Sequence, residues 1–184
     1  MSEVIHRLAN RRSRGSPAAH SGGMGIRYYA YPVPSSDIDA ALANPEAFIN
    51  ADPLSDAWGL EPLGPNHYAM GVNPRPRMLY LDKCWSLIQS LTLSEDGPRP
   101  AYQLVAGHVP WSERGSHARY GALCNHDLLL VADDLDDIVK NDMDDFCAML
   151  SDDEAEYLRD YVAEARIFTR ELAKRGEGLA YVIG

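Results

Sequence analysis

The residue order predicts an α+β fold or a three-layer α/β sandwich, with a central sheet flanked by helices. Strand-like segments stand at both ends of the folded region, 25–33 and 179–183, and one sheet would bring them together. Between them, the C-terminal third places apolar residues at helical spacing with aspartates on the opposite faces. A length of 184 residues suits one domain better than two, and 46% apolar with 24% charged residues is ordinary for a chain that builds its own core.

Gly25–Val33 is aromatic and β-branched and stops at Pro32, which reads as a strand. Ser35 and Ser36 offer N-cap hydroxyls to a short helix over Asp37–Ala43, ended by Pro45. Residues 44–77 carry prolines or glycines at 45, 53, 59, 62, 64, 65, 71, 74 and 76 and read as a long irregular excursion. Leu81, Cys84, Trp85, Ile88 and Leu91 fall on one face of a helix that Asp82 would start as N-cap. The stretch 101–132 is ambiguous, with apolar blocks at 104–106 and 128–132 around a polar turn at 112–116. Beyond it, Leu135, Ile138, Val139, Met143, Phe146 and Leu150 form one helical stripe. Ser151 and Glu154 spell a capping box, with Asp152 and Asp153 also suiting the positive end of the helix dipole. The helix they open buries Leu158, Val162, Ala165, Phe168 and Leu172 beside Tyr157 and Tyr161, and closes at Gly176. Leu179–Ile183 is the final strand.

Seventeen basic against twenty-seven acidic residues leave a net charge of −10. That balance argues against a nucleic-acid partner, since backbone binders gain affinity by neutralising phosphates with surplus cations. No apolar run approaches the roughly 20 residues of a membrane span. Cys84, Cys124 and Cys147 are odd in number and lack Cys-x-x-Cys spacing, so reduced thiols and a cytoplasmic location are expected. Residues 1–23 hold four arginines and few apolar side chains, and read as a disordered basic tail without a secretory signal. Residues 24–184 form the single domain, and Met24 is a candidate start.

Phosphate loops, dinucleotide-binding glycine motifs, His-Glu-x-x-His and Gly-x-Ser-x-Gly are all missing from the sequence, and no cofactor is implied. Cys124, His126 and Asp127, with His108 and His117 upstream, match no zinc spacing, so no metal is expected. Cys84 beside Lys83 could be an activated thiol, but its place between Leu81 and Trp85 favours a buried, inert one. Residues 131–164 hold thirteen acids against Lys140 and Arg159, a net of −11 that more than accounts for the chain's whole charge. Solvated helix faces explain such a segment, and so does a docking surface for a basic partner.

Three segments resemble a known family: Met24–Tyr31; Leu81-Asp-Lys-Cys-Trp85 with Leu91-Thr92; and Glu156-Tyr-Leu through Arg175-Gly-Glu to Tyr181-Val-Ile. Together they look like the YfbM-like family, a small bacterial domain of unknown function, across residues 24–184. The resemblance implies a central sheet flanked by helices and no established reaction. Family members often carry a histidine four residues after the tryptophan, where this chain has Gln89.

Two functional expectations follow. The first is an interaction or regulatory module that binds a basic protein partner through Asp136, Asp137, Asp144 and Asp145. The second is an enzyme or small-molecule binder with a pocket around Asp82, Lys83, Trp85, Arg119 and Tyr120. A concave site with convergent polar groups near Trp85 would favour the second; a filled interior with a convex acidic face would favour the first.

Overall fold

The computed structural model describes residues 26–64, 67–70, 76–94, 97–106 and 118–184. The basic tail, Met24, His108, His117 and the polar turn at 112–116 lie outside the described residues. The order of elements is β1 (Tyr28–Val33), α1 (Ile38–Ala43), α2 (Pro53–Trp58), β2 (Leu60–Gly64), β3 (His67–Met70), β4 (Leu79–Asp82), α3 (Trp85–Leu91), β5 (Leu93–Ser94), β6 (Gly97–Pro98), β7 (Arg119–Leu123), α4 (Asn125–Asn141), α5 (Met143–Cys147), α6 (Asp152–Arg175) and β8 (Gly178–Ile183). Three 3-10 turns intervene at Ser35–Asp37, Pro45–Phe48 and Pro100–Val105.

β4, β1, β8 and β7 form one antiparallel sheet in that order, with the two terminal strands paired at its centre. The expected α+β class and the joined termini are both present. Arg27 and Gly184 extend the central pairing by exchanging backbone hydrogen bonds of 2.9 Å. Every residue of β8 is buried, which is why Gly-Leu-Ala-Tyr-Val-Ile runs apolar instead of alternating.

One sheet face carries Tyr28, Ala30, Leu81, Leu179, Tyr181 and Ile183 against α3, α4 and α6, and this is the main core. Fully burying side chains such as Leu128, Leu135, Ile138 and Leu158 there contributes about 1.5–3 kcal/mol each. The other face places Tyr29, Tyr31 and Val182 under Leu54, Ala57 and Met78, with Val33 and Ala180 under Ile38 and Phe48. Helices therefore cover both faces.

Several local expectations need correction. The 44–77 excursion contains a helix, because Asp52 accepts the Ser55 N–H at 3.0 Å as N-cap, Pro53 occupies the first turn and Gly59 ends it at φ 64°. Neither Ser35 nor Ser36 caps α1; Asp37 occupies that position without a side-chain cap, and Ser36 Oγ donates to its carboxylate instead. Asp82 is the last residue of β4, not the cap of α3, so Leu81 belongs to the strand. The stripe from Leu135 to Leu150 is broken at Asp142, whose φ of −120° ends α4 and restarts the chain in α5, leaving Val139 exposed. α4 itself begins at Asn125, ahead of the expected position. The capping box of α6 is complete: Ser151 Oγ accepts from the Glu154 N–H, and Glu154 accepts from the Ser151 N–H. Gly176 at φ 70° closes that helix in the left-handed region.

Candidate functional site

β4 is an edge strand, and its last residue is unusual. Asp82 has φ 45°, the one non-glycine left-handed residue among the described residues. That conformation swings the carboxylate around the sheet edge, where three side chains converge on it. Arg27 Nε donates to Oδ1 at 2.8 Å, Tyr80 donates to Oδ1 at 2.9 Å, and Tyr157 of α6 donates to Oδ2 at 2.9 Å. The Lys83 backbone N–H donates in turn to the Tyr157 hydroxyl at 3.3 Å. Burial pushes the Asp82 pKa up, but the hydrogen bonds from Tyr157, Tyr80 and Arg27 outweigh it and the carboxyl is held below its ordinary value. Burial, then the bond to Asp82, raises both Tyr80 and Tyr157 above the usual phenol range.

Tyr80 connects this cluster to a cleft of about 400 Å³, lined by Asp56, Ala57, Pro76, Arg77, Met78, Tyr80, Tyr161 and Glu164. The cleft opens where α2 and α6, from opposite sides of the sheet, pass the free edge of β4. Asp56 is fixed by Tyr31 and by Asn50 Nδ2, each donating to Oδ2 at 2.7 Å. Tyr80 stacks on Tyr29 at 5.3 Å between ring centroids, and Tyr161 sits edge-on to Tyr157 at 4.8 Å. The half-exposed Trp58 lies close enough to the Tyr80 hydroxyl to oppose, in small part, the rise that burial and Asp82 cause in its pKa. Arg77 is ion-paired with Glu177. Burial, then the neighbouring Asp160, raises the Glu164 carboxyl.

The five pocket candidates separate into two groups. Asp82, Lys83 and Trp85 are neighbours at the β4–α3 corner, with Lys83 exposed and Trp85 half-buried, its Nε1 donating to the Ile26 carbonyl at 3.3 Å. Arg119 shares a row with Asp82 across the sheet through Tyr28 and Ile183, but on the opposite edge strand, three strand spacings or about 14 Å away. Tyr120 is also on that far edge and approaches Glu46. None of the five lines the cleft. Of the residues that do, Tyr161 reads in the sequence as part of an apolar stripe, and Asp56 lies within the excursion.

Of the four aspartates expected to meet a partner, three have cations of their own. Asp136 pairs with Arg166 at 2.7 Å and with Arg170. Asp137 pairs with Arg99 at 2.7 Å, and Asp144 with Arg159 at 3.2 Å. Arg99 also clasps Asp134 at 2.7 Å and Asp142, while Asp134 accepts the Ala101 N–H at 2.8 Å, tying the Pro100–Val105 turn to α4. Asp145 is exposed and makes no such pair among the described residues.

Cys84 is buried, and burial followed by the Asp82 charge pushes its thiol up to about 12, so it is protonated at neutral pH. Cys124 donates its S–H to Asp127 at 3.1 Å. Among the described residues, no three His, Cys, Asp or Glu side chains are grouped to hold a metal ion, and no helix is long and apolar enough to cross a membrane.

The chain is similar to YfbM from Escherichia coli, a protein of unknown function. The likeness covers 86% of this chain and 99% of that one, at 16% identity and a TM-score of 0.47. It bears the name the sequence segments pointed to and carries no reaction with it. No protein-family model matches the chain, and no curated protein does.

Proposed function

We propose that this chain is a small-molecule-binding protein whose ligand occupies the cleft between α2, β4 and α6. The observation that supports this most is the adjacency of the cleft to Asp82, a left-handed aspartate whose cluster fixes the orientation of Tyr80 on the cleft wall. Backbone strain persists where the surroundings over-determine it, and such positions gather at binding sites. A volume of about 400 Å³ falls within the range of small-ligand pockets. The reading is of binding rather than proton transfer, because Asp82 has its donors in place and a lowered pKa, both unsuited to a general base near neutrality. The test is retention: the purified chain is equilibrated with small-molecule extracts, gel-filtered, and its bound compounds identified by mass spectrometry. Ala57→Trp fills the cleft and should abolish retention of any compound held there; equal retention by both forms would refute the proposal.

A second reading retains the acidic helical face as a docking surface for a basic protein. It is supported by the net −11 of residues 131–164 and by Asp145, which has no cation of its own among the described residues. A basic partner would compete with Arg99, Arg159, Arg166 and Arg170 for the other three aspartates. Association that weakens steeply with salt, and weakens further in the Asp145→Asn form, would favour this reading over the cleft.

A further inference from the structure

Building on the cleft reading, we infer that its ligand is an organic cation, a compound bearing an ammonium or guanidinium group. Two carboxylates face the cleft from opposite walls, Asp56 from α2 and Glu164 from α6. The hydrogen bonds from Tyr31 and Asn50 both go to Oδ2 of Asp56, leaving Oδ1 for a ligand donor. Glu164 makes no hydrogen bond or ion pair among the described residues. Arg77 is the one cation among the described lining residues; its Nη2 is paired with Glu177 and its Nε is buried without a hydrogen-bond partner among the described residues, so the two carboxylates outnumber the cationic group they face. Tyr80 and Tyr161 add two aromatic rings to the same walls, and ring faces attract cations that leave water.

An inorganic cation fits the lining less well. Divalent ions take six or more oxygens, or four ligands for zinc, and the cleft provides two carboxylates. The cleft is also far larger than a bare ion needs, whereas an amine carried on a chain of a few carbons would reach both acids and lie along the tyrosines. The net charge of −10 favours the approach of such a ligand at low salt.

The test titrates the full chain, isotopically labelled, with four probes: agmatine, choline, glycerol and succinate. Agmatine and choline should shift the amide resonances of residues 77–80 and 161–164 saturably, while glycerol and succinate leave them unmoved. Glu164→Gln, an exposed change that leaves the fold intact, should weaken agmatine about tenfold, as loss of one charged hydrogen bond predicts. Tyr161→Leu should weaken choline more than agmatine, because choline's quaternary ammonium has no N–H for the carboxylates and depends more on the ring. Saturable shifts at those amides with succinate or glycerol instead would overturn the cationic class and leave the cleft as a binding site. Failure of all four probes, together with unchanged retention in Ala57→Trp, would overturn both. Unchanged agmatine affinity in Glu164→Gln would remove the carboxylate argument by itself.

Discussion

Replacing Asp82 by Asn, Gly and Ala separates what its backbone does from what its carboxylate does. The side chain accepts one charged hydrogen bond from Arg27 and two from tyrosines, and it is about a quarter exposed. A charged hydrogen bond contributes about 1.5–3 kcal/mol and a neutral one about 1, both reduced here by partial exposure. Glycine loses all three bonds but relieves the cost of φ 45°, about 1–2 kcal/mol, for a net loss of about 2 kcal/mol. Alanine loses the same bonds and keeps the strain, for about 3 kcal/mol. Asparagine tolerates the left-handed region and keeps one oxygen for Arg27 and Tyr80, so it costs about 1 kcal/mol. In a domain of this size each kcal/mol moves Tm by about 2–4 °C, which calorimetry and urea titration both resolve. The carboxylate also has a pH signature. Because its folded pKa lies below the ordinary 3.8, its contribution is complete above that value and disappears as pH falls through the lower folded pKa. Asp82→Asn should therefore flatten the acid limb of the stability curve below about pH 4. The order Asn, then Gly, then Ala is the discriminating result. Alanine as stable as glycine would refute the left-handed argument, and glycine as stable as the parent would refute the clasp.

Three further outcomes are expected. Iodoacetamide at pH 8 should label half-buried Cys124 well before Cys84, whose thiol is pushed up to about 12; equal rates would mean that the β4–α3 corner opens readily. Gly121→Ala should cost about 1–3 kcal/mol by denaturant titration, since a Cβ there falls 2.4 Å from Tyr181 Cζ, in a ring held by stacking on Tyr28 and by its hydrogen bond to the Ala106 carbonyl. The quadruple change of Asp136, Asp137, Asp144 and Asp145 to Asn removes ion pairs to Arg99, Arg159, Arg166 and Arg170 and should cost about 1–2 kcal/mol; a stabilised variant would mean that repulsion among the acids outweighs those pairs.

The parts of the fold that local chemistry determines were legible. Ser151 with Glu154, and Gly176 at the far end, mark α6 within a few residues of each boundary, because capping is settled by neighbours in the chain. The apolar runs of β1 and β8 show their central positions in the same way. α2 was equally available in Asp52-Pro53 and Gly59, but the prolines around it pointed to irregular chain. The break at Asp142 was not available: the apolar period continues past it, and the residue is held outside the helix by Arg99, 43 positions away. Charge composition is blind to long-range pairing in a related way. Thirteen acids in 131–164 look like an open surface until Arg99 and the arginines of α6 are placed beside them.

Asp82 stands among the pocket candidates of the sequence, but the groups that converge on it lay out of reach for a further reason. Asp82 meets Arg27 across 55 positions and Tyr157 across 75, so no spacing within a motif could mark the cluster. Its single local signal, Tyr80 two residues before Asp82 on one side of a strand, is common in any sheet. What makes the pair informative is that β4 is an edge strand, and edges must be blunted or covered. Here the covering comes from both layers: α2 brings Asp56 and Ala57, and α6 brings Tyr157, Tyr161 and Glu164. Asp82 turns the chain away from the edge at φ 45° and ties α6 to β4 through Tyr157. The two layers do not close over Tyr80, and the cleft is the gap they leave. Protection of the sheet edge and formation of the cleft thus depend on the same few side chains, which is why a substitution at Asp82 should disturb both together.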